Sequence, residues 1–146
     1  MKEALNKKHI VVTEGYCFLD GKRIYDAVKF KLIFTPRVKT SRVLGSKTQD
    51  TRWNGYDLTV EMTRRRTTKW AKELVQNYIN KGITPEFTLS GVMDDKDSDY
   101  YEAYGKETVT AVGCVLTSAI NVMELDAEGE YFDDVMTFNA KDVKFK

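Results

Sequence analysis

The 146 residues suffice for one domain, which at that length buries a core without disulfides or a structural metal. Lys and Arg number 23 against 22 Asp and Glu, and the formal net charge of +1 excludes any global electrostatic drive towards nucleic acid or an anionic membrane. Hydrophobic residues at 42% and charged residues at 31% are ordinary globular values, whereas 8 Tyr, 7 Phe and 2 Trp favour strands over helices.

Residues 1–14 carry Lys2, Lys7, Lys8 and the only histidine, His9, with weak periodicity. They are expected to form a flexible arm that orders on a neighbour. This start is too polar for a secretory signal or a membrane anchor, so a soluble protein made in the cytoplasm is expected. From Gly15 the chain becomes regular, and residues 15–146 read as a single domain. Tyr16, Cys17, Phe18 and Leu19 form a strand that ends at Asp20-Gly21, a tight-turn dipeptide, and a long returning strand is expected over 27–34. There Val28, Phe30, Leu32 and Phe34 alternate with Ala27, Lys29, Lys31 and Ile33, the period of a half-buried strand. A polar stretch over 35–55 follows, holding Val38, Val43, Leu44 and Trp53. It reads as an extended loop, and loops that long in a small domain are usually functional.

Tyr56, Leu58, Val60 and Met62 alternate with Asp57, Thr59, Glu61 and Thr63 in a second half-buried strand. Thr67 and Thr68 offer an N-cap for an amphipathic helix over about 67–81, with Trp70, Leu74 and Tyr78 packing it on the sheet and Gly82 as C-cap. Phe87, Leu89, Val92 and Met93 form the next strand, which runs into a loop rich in Asp and Tyr. The span from Thr108 to Met123 reads as a long strand apolar on both faces, hence covered twice. An acidic turn at Asp126–Glu130 leads to strands with Phe132, Met136, Phe138, Val143 and Phe145. The fold class is therefore mainly β with one α-helix, an antiparallel sandwich or open barrel.

The residues needed for chemistry are scarce. One histidine leaves no Ser-His-Asp or Cys-His arrangement and no histidine metal site, Cys17 and Cys114 lie in apolar runs as free thiols, and no glycine-rich turn could cradle a phosphate. No enzyme, metal or cofactor is expected. Asp94, Asp95, Asp97 and Asp99 lack calcium-loop spacing. Arg64, Arg65 and Arg66, with Trp53 and Tyr56, leave open a monomeric β-barrel that binds single-stranded nucleic acid. Charge segregation is more informative. Arg37, Lys39, Arg42, Lys47 and Arg52 outweigh Asp50 by four within 36–53. Asp94, Asp95, Asp97, Asp99, Glu102 and Glu107 outweigh Lys96 and Lys106 by four within 94–107. Opposite loops on one chain suit head-to-tail contact between copies, although two solvated loops fit the charges equally well.

Over about 15–142 the chain resembles the tail tube family of PBSX-type defective prophages, contractile phages and related bacteriocins. The pieces that carry the resemblance are Gly15-Tyr-Cys-Phe-Leu-Asp-Gly21, the polar insertion before Tyr56, the single helix, Gly82-Ile-Thr-Pro-Glu-Phe-Thr-Leu89 running to Asp94-Asp95, Gly105–Thr110 and the Phe-rich end. The resemblance implies hexameric rings whose strands join into a continuous inner barrel and which stack through an extended loop. Such a tube conducts DNA or punctures a membrane. Its partners would be copies of itself, the tail sheath, baseplate and terminator proteins, with DNA only as passing cargo. It would be assembled in a bacterial host's cytoplasm and end in a virion or tail-like particle. Arg37, Lys39, Arg42, Lys47, Arg52, Trp53, Asp94, Asp95, Asp97 and Asp99 are then candidate contacts between subunits or rings. Lys29, Lys31, Asp57, Thr59, Glu61 and Thr63 are the candidate lumen face. A terminator or accessory ring protein is the related alternative.

Overall fold

The computed structural model describes residues 8–146, so the first half of the expected arm lies outside the described residues. Eight strands pair into one antiparallel sheet that folds over on itself. They are β1 (Gly15–Leu19), β2 (Lys22–Arg23), β3 (Ala27–Ser41), β4 (Asp50–Arg65), β5 (Phe87–Met93), β6 (Glu107–Leu116), β7 (Asp133–Ala140) and β8 (Asp142–Phe145). The helices are α1 (Trp70–Lys81), between β4 and β5, and the short α2 (Asp99–Tyr104), before β6. The spatial order is β2-β1-β5-β6-β7-β4-β3, with β8 on the other side of β6 from β5.

Strand β6 is the fold line. Its first part, Val109–Val112, pairs β8, and its last residues, Val115 and Leu116, pair β7. At the bend Gly113 has φ +68, a conformation that L side chains rarely adopt, and a Cβ there would lie 3.0 Å from Cβ of Lys141. The same point is where the chain leaves β7 for β8, and the Lys141 amide donates to the Val112 carbonyl at 3.0 Å. An extra residue in β6 opposite Phe87–Leu89 marks a bulge, the usual device by which a strand turns a corner between sheets. This explains the run that is apolar on both faces. The strand is shared by both halves, but it stops at Leu116 rather than Met123. Thr117 and Ser118 take up the carbonyl and amide of Thr137, and residues 117–132 continue without regular structure.

The core lies between the two halves. Cys17, Leu19, Phe87, Leu89, Ala111 and Cys114 from one side meet Val60, Met62, Met136 and Phe138 from the other. Fully buried side chains such as Val60, Met62, Leu89 and Phe138 each contribute about 2 kcal/mol of apolar burial, which holds the two halves together. Gly91 sits where the layers approach most closely, since a Cβ there would be 2.6 Å from Cε1 of Phe30.

An expected strand and an expected loop are corrected. The tight turn at Asp20-Gly21 forms, with φ of 50° and 84°, but the returning strand is only Lys22–Arg23. Ile24 is buried and the chain then crosses to the other half, where β3 pairs β4 and not β1. The stretch 35–55 is mostly strand as well, because β3 and β4 run on together as far as Ser41 and Asp50 and leave only 42–49 as loop. Helix α1 starts at Trp70 with Lys69 at the N-cap position, whose side chain makes no cap; of the two expected capping threonines, Thr67 donates its hydroxyl to Asp26 and Thr68 accepts from the Trp70 amide at 3.5 Å. It ends at Gly82 in the left-handed conformation, with its amide donating to the Tyr78 carbonyl. Trp70 and Leu74 pack on the core as expected, Trp70 against Phe87 at 5.5 Å between ring centroids. Tyr78 does not; it is 52% exposed, and Ala71 takes the buried place.

Candidate functional site

The most unusual part of the molecule is the far end of the β3–β4 pair. Strand β7 accompanies β4 only from Leu58 to Arg65, so beyond Leu58 the two strands form a ribbon with no third partner. Every residue from 37 to 57 is exposed. The ribbon's register shifts between Pro36 and Val38, where β4 holds an extra residue at Asn54-Gly55. Such a two-stranded ribbon is marginally stable alone in water. It nevertheless displays large apolar side chains, with Val38, Val43, Leu44 and Trp53 all more than half exposed. Phe34 links Trp53 and Tyr56, at centroid distances of 5.6 and 5.3 Å, into an exposed aromatic row at the ribbon's root.

Arg37 donates to Asp57 across the ribbon at 2.6 Å, and that hydrogen bond, with the charge behind it, holds the Asp57 carboxyl below its ordinary range. Among the described residues Lys39, Arg42, Lys47 and Arg52 make no ion pair. The ribbon therefore combines exposed apolar surface with cations that pair with no carboxylate among the described residues. Patches of this kind on a protein surface mark places where another macromolecule docks.

On the same two strands, Lys29, Lys31, Ile33 and Thr35 stand opposite Thr63, Glu61, Thr59 and Asp57. Because side chains alternate, these residues share one sheet face, which continues onto β7 through Val135, Thr137 and Asn139. The other face carries Phe30, Leu32, Leu58, Val60 and Met62 towards the core. One long face of the molecule is thus polar and close to charge balance. The outer edge of β3 pairs with nothing over its whole length in the described chain.

The three consecutive arginines are fully engaged. Arg64 pairs Asp26 at 2.9 Å, Arg65 pairs Asp133 at 3.3 Å and Arg66 pairs Asp134 at 2.6 Å. Each guanidinium also lies over a ring, respectively Trp70, Tyr131 and Phe132. Burial alone would raise the Asp26 carboxyl, but hydrogen bonds from Arg64 and Thr67 outweigh it and hold the group below its ordinary value. Arg66 further donates to the carbonyls of Asn121 and Val122 at 2.8 and 2.9 Å, tying residues 117–132 to the end of β4. Trp53 and Tyr56 sit eight or more residues away along β4, on the order of 26 Å. The arginine triplet and the aromatics do not form one nucleic-acid surface.

The acidic loop is also occupied within the chain. Asp95 is buried and accepts from the Val11 amide at 3.0 Å, Asp99 accepts from the Lys8 amide at 3.0 Å, and Asp97 pairs the Lys8 ammonium at 3.0 Å. These contacts hold residues 8–11 of the expected arm, and the Asp94 amide donates to the Glu14 carbonyl. Cys17 and Cys114 are free and buried, and burial pushes both thiols up from their ordinary value, as inert core residues. Among the described residues no cluster suits a metal and no helix is long and apolar enough to cross a membrane. The cavity between α1 and β7, lined by Trp70, Leu74, Ile120 and Met136, holds about 10 Å³, room for one water.

Sequence reasoning missed Asp26, Asp133 and Asp134 as arginine partners, because they lie 38 and 68 residues away. It read residues 121–131 only as a strand end and an acidic turn, whereas all of them are irregular and exposed. A signal was present there, for the chain has no Lys or Arg from Glu107 to Ala140.

The sequence profile of the phage tail tube protein family matches residues 3–146. The chain is 27% identical over 129 residues to the phage-like element PBSX protein XkdM of Bacillus subtilis strain 168, covering 88% of this chain and 84% of that one. Its fold is similar to that of a chain in the anti-feeding prophage tube-terminating cap, at a TM-score of 0.73 and 10% identity over 99% of this chain and 95% of that one. It is also similar to a chain in the sheath-tube complex of an extracellular contractile injection system, PVC, at a TM-score of 0.65 and 11% identity over 94% and 90% of the two chains. The fold and the match over nearly the full length agree, and the chain belongs to the phage tail tube protein family as a structural subunit of that tube.

Proposed function

We propose that the chain acts by geometry alone, assembling into hexameric rings that stack through the β3–β4 ribbon into a hollow conduit. The observation that carries this reading is the ribbon beyond Leu58, whose exposed apolar side chains and unneutralised cations need a covering surface. Lys39, Arg42, Lys47, Arg52 and Trp53 are its contacts with the next ring. The open edge of β3 supports the joining of subunits within a ring, since a long unpaired edge left free would invite aggregation. The face bearing Lys29, Lys31, Asp57, Thr59, Glu61 and Thr63 lines the channel. A lining with mixed charges does not hold phosphates tightly, so DNA would slide through. Sheath, baseplate and terminator proteins are the expected partners in the finished tail, after assembly in the host cytoplasm.

The test is the double substitution Arg42→Glu and Lys47→Glu. The variant is expected to keep the wild-type circular dichroism spectrum and melting curve but to form no tubes under negative-stain electron microscopy. Tubes of normal length would remove the ribbon from the interface. Single rings at every concentration of the unaltered protein would favour a terminating ring instead.

A further inference from the structure

The ribbon needs a receiving surface, and the chain displays one whose chemistry matches it. Residues 121–131 are exposed throughout and expose Val122, Met123, Leu125 and Tyr131 at 44%, 65%, 91% and 69%. Interleaved with these are Glu124, Asp126, Glu128 and Glu130, with no positive charge in the segment. Asp133 and Asp134, which follow, are consumed by Arg65 and Arg66. Among the described residues the four interleaved carboxylates make no ion pair. The segment is thus the opposite of the ribbon in charge and, like it, exposes large apolar side chains.

The placement is as informative as the chemistry. The ribbon begins the β4 strand at Asp50 and the segment is tied to its other end, where Arg66 holds the carbonyls of Asn121 and Val122 and its amide donates to the Phe132 carbonyl. The 16 residues from Asp50 to Arg65 span about 50 Å of strand. Complementary surfaces at opposite ends of one molecule cannot satisfy each other within it. They meet only when copies are set head to tail, an arrangement that propagates instead of closing.

The other acidic region, 94–107, is placed differently. It precedes β6, which runs antiparallel to β7 and therefore in the same sense as β4, so that region lies towards the ribbon's end of the molecule. Asp95, Asp97 and Asp99 in it are already engaged with residues 8–11.

We propose that residues 121–131 of one copy receive the β3–β4 ribbon of the next copy along the tube, with Glu124, Asp126, Glu128 and Glu130 facing Lys39, Arg42, Lys47 and Arg52. This rests on the ribbon being the contact between rings. The arrangement gives the segment a reason to be irregular and yet tethered: an extended strip is held against the fold through its carbonyls and leaves Val122, Met123 and Leu125 exposed for the partner.

The test uses charge reversal of the full chain in three forms: the four carboxylates changed to Lys, the four cations changed to Glu, and both sets together. Like charges across the interface are expected to raise the protein concentration needed for tubes by about a hundredfold or more in either single set. The combined form is expected to regain tubes, because complementarity is restored with its sign inverted. Circular dichroism and thermal melts establish that each form folds, and a milder set with Glu124→Gln, Asp126→Asn, Glu128→Gln and Glu130→Gln replaces any that does not. Normal tubes from the carboxylate set, while the cation set fails, would overturn the receiving surface and leave the ribbon reading intact. Normal tubes from the cation set would overturn both. A folded combined form that still fails to assemble would also overturn the pairing.

Discussion

The two ends of the β3–β4 pair carry similar basic clusters that the fold treats in opposite ways. At one end Arg64 and Arg66 are largely buried, each facing a carboxylate and an aromatic ring, and Arg65 is paired at the surface. At the other, Lys39, Arg42, Lys47 and Arg52 are exposed and have no ion partner among the described residues. The first cluster belongs to the monomer and fixes where α1 starts and how residues 117–132 run. The second, on the proposed reading, is satisfied only by another copy. A count of local charge does not distinguish structural from docking arginines; the position of the carboxylates does.

The largest effect should come from breaking the buried cluster. In Arg64→Ala, the Asp26 side chain, 12% exposed, would lose its charged partner and keep only Thr67. A loss of about 3 kcal/mol in urea unfolding is expected, measured on a variant that does not assemble. The matching change at the ribbon, Arg42→Ala, should leave the unfolding midpoint where it was. If both variants lost similar stability, the contrast between the two ends would collapse.

Acid sharpens the same contrast. The folded Asp26 carboxyl titrates below its ordinary value of 3.8, so its contribution is complete above that value and disappears as pH falls through the lower folded value. Stability measured from pH 5 downwards should therefore decline, with a slope from this one group of at most about 1.4 kcal/mol per pH unit. Arg64→Met should flatten that part of the profile. An unchanged profile in Arg64→Met would show that other carboxylates govern the acid limb.

How much of this was visible in the sequence follows the same division. The β4 alternation of Leu58, Val60 and Met62 was legible because one face is buried and the other wet, and Gly82 was legible as a helix stop. The outer ribbon was not, since both of its faces are exposed and no period of two separates them. Helix α2 was hidden for a related reason: six residues, capped by Ser98 accepting from the Tyr101 amide, contain no buried side chain to set a period. The arginine pairs needed partners from distant strands, which only the register of β3, β4 and β7 brings together. The family pattern was legible as an order of elements, while the receiving segment 121–131 required knowing which carboxylates were already used.

The smallest expected effect on the monomer is the most telling for the ribbon. Trp53 is 65% exposed and touches Phe34 at the ribbon's root, so Trp53→Ala removes one tilted ring contact and little buried surface. In the isolated chain this should cost about 0.5–1 kcal/mol, within reach of careful urea titration. In a tube the same ring would be covered by the next copy, and an aromatic anchor at the centre of an interface commonly costs 2 kcal/mol or more, as an order of magnitude, when truncated. Sedimentation of tubes over a protein dilution series reads the difference as a shift in the assembly threshold of at least about tenfold. A threshold shift no larger than the monomer's own loss of stability would mean that Trp53 only stiffens the ribbon. Docking would then rest on Val38, Val43, Leu44 and the four cations.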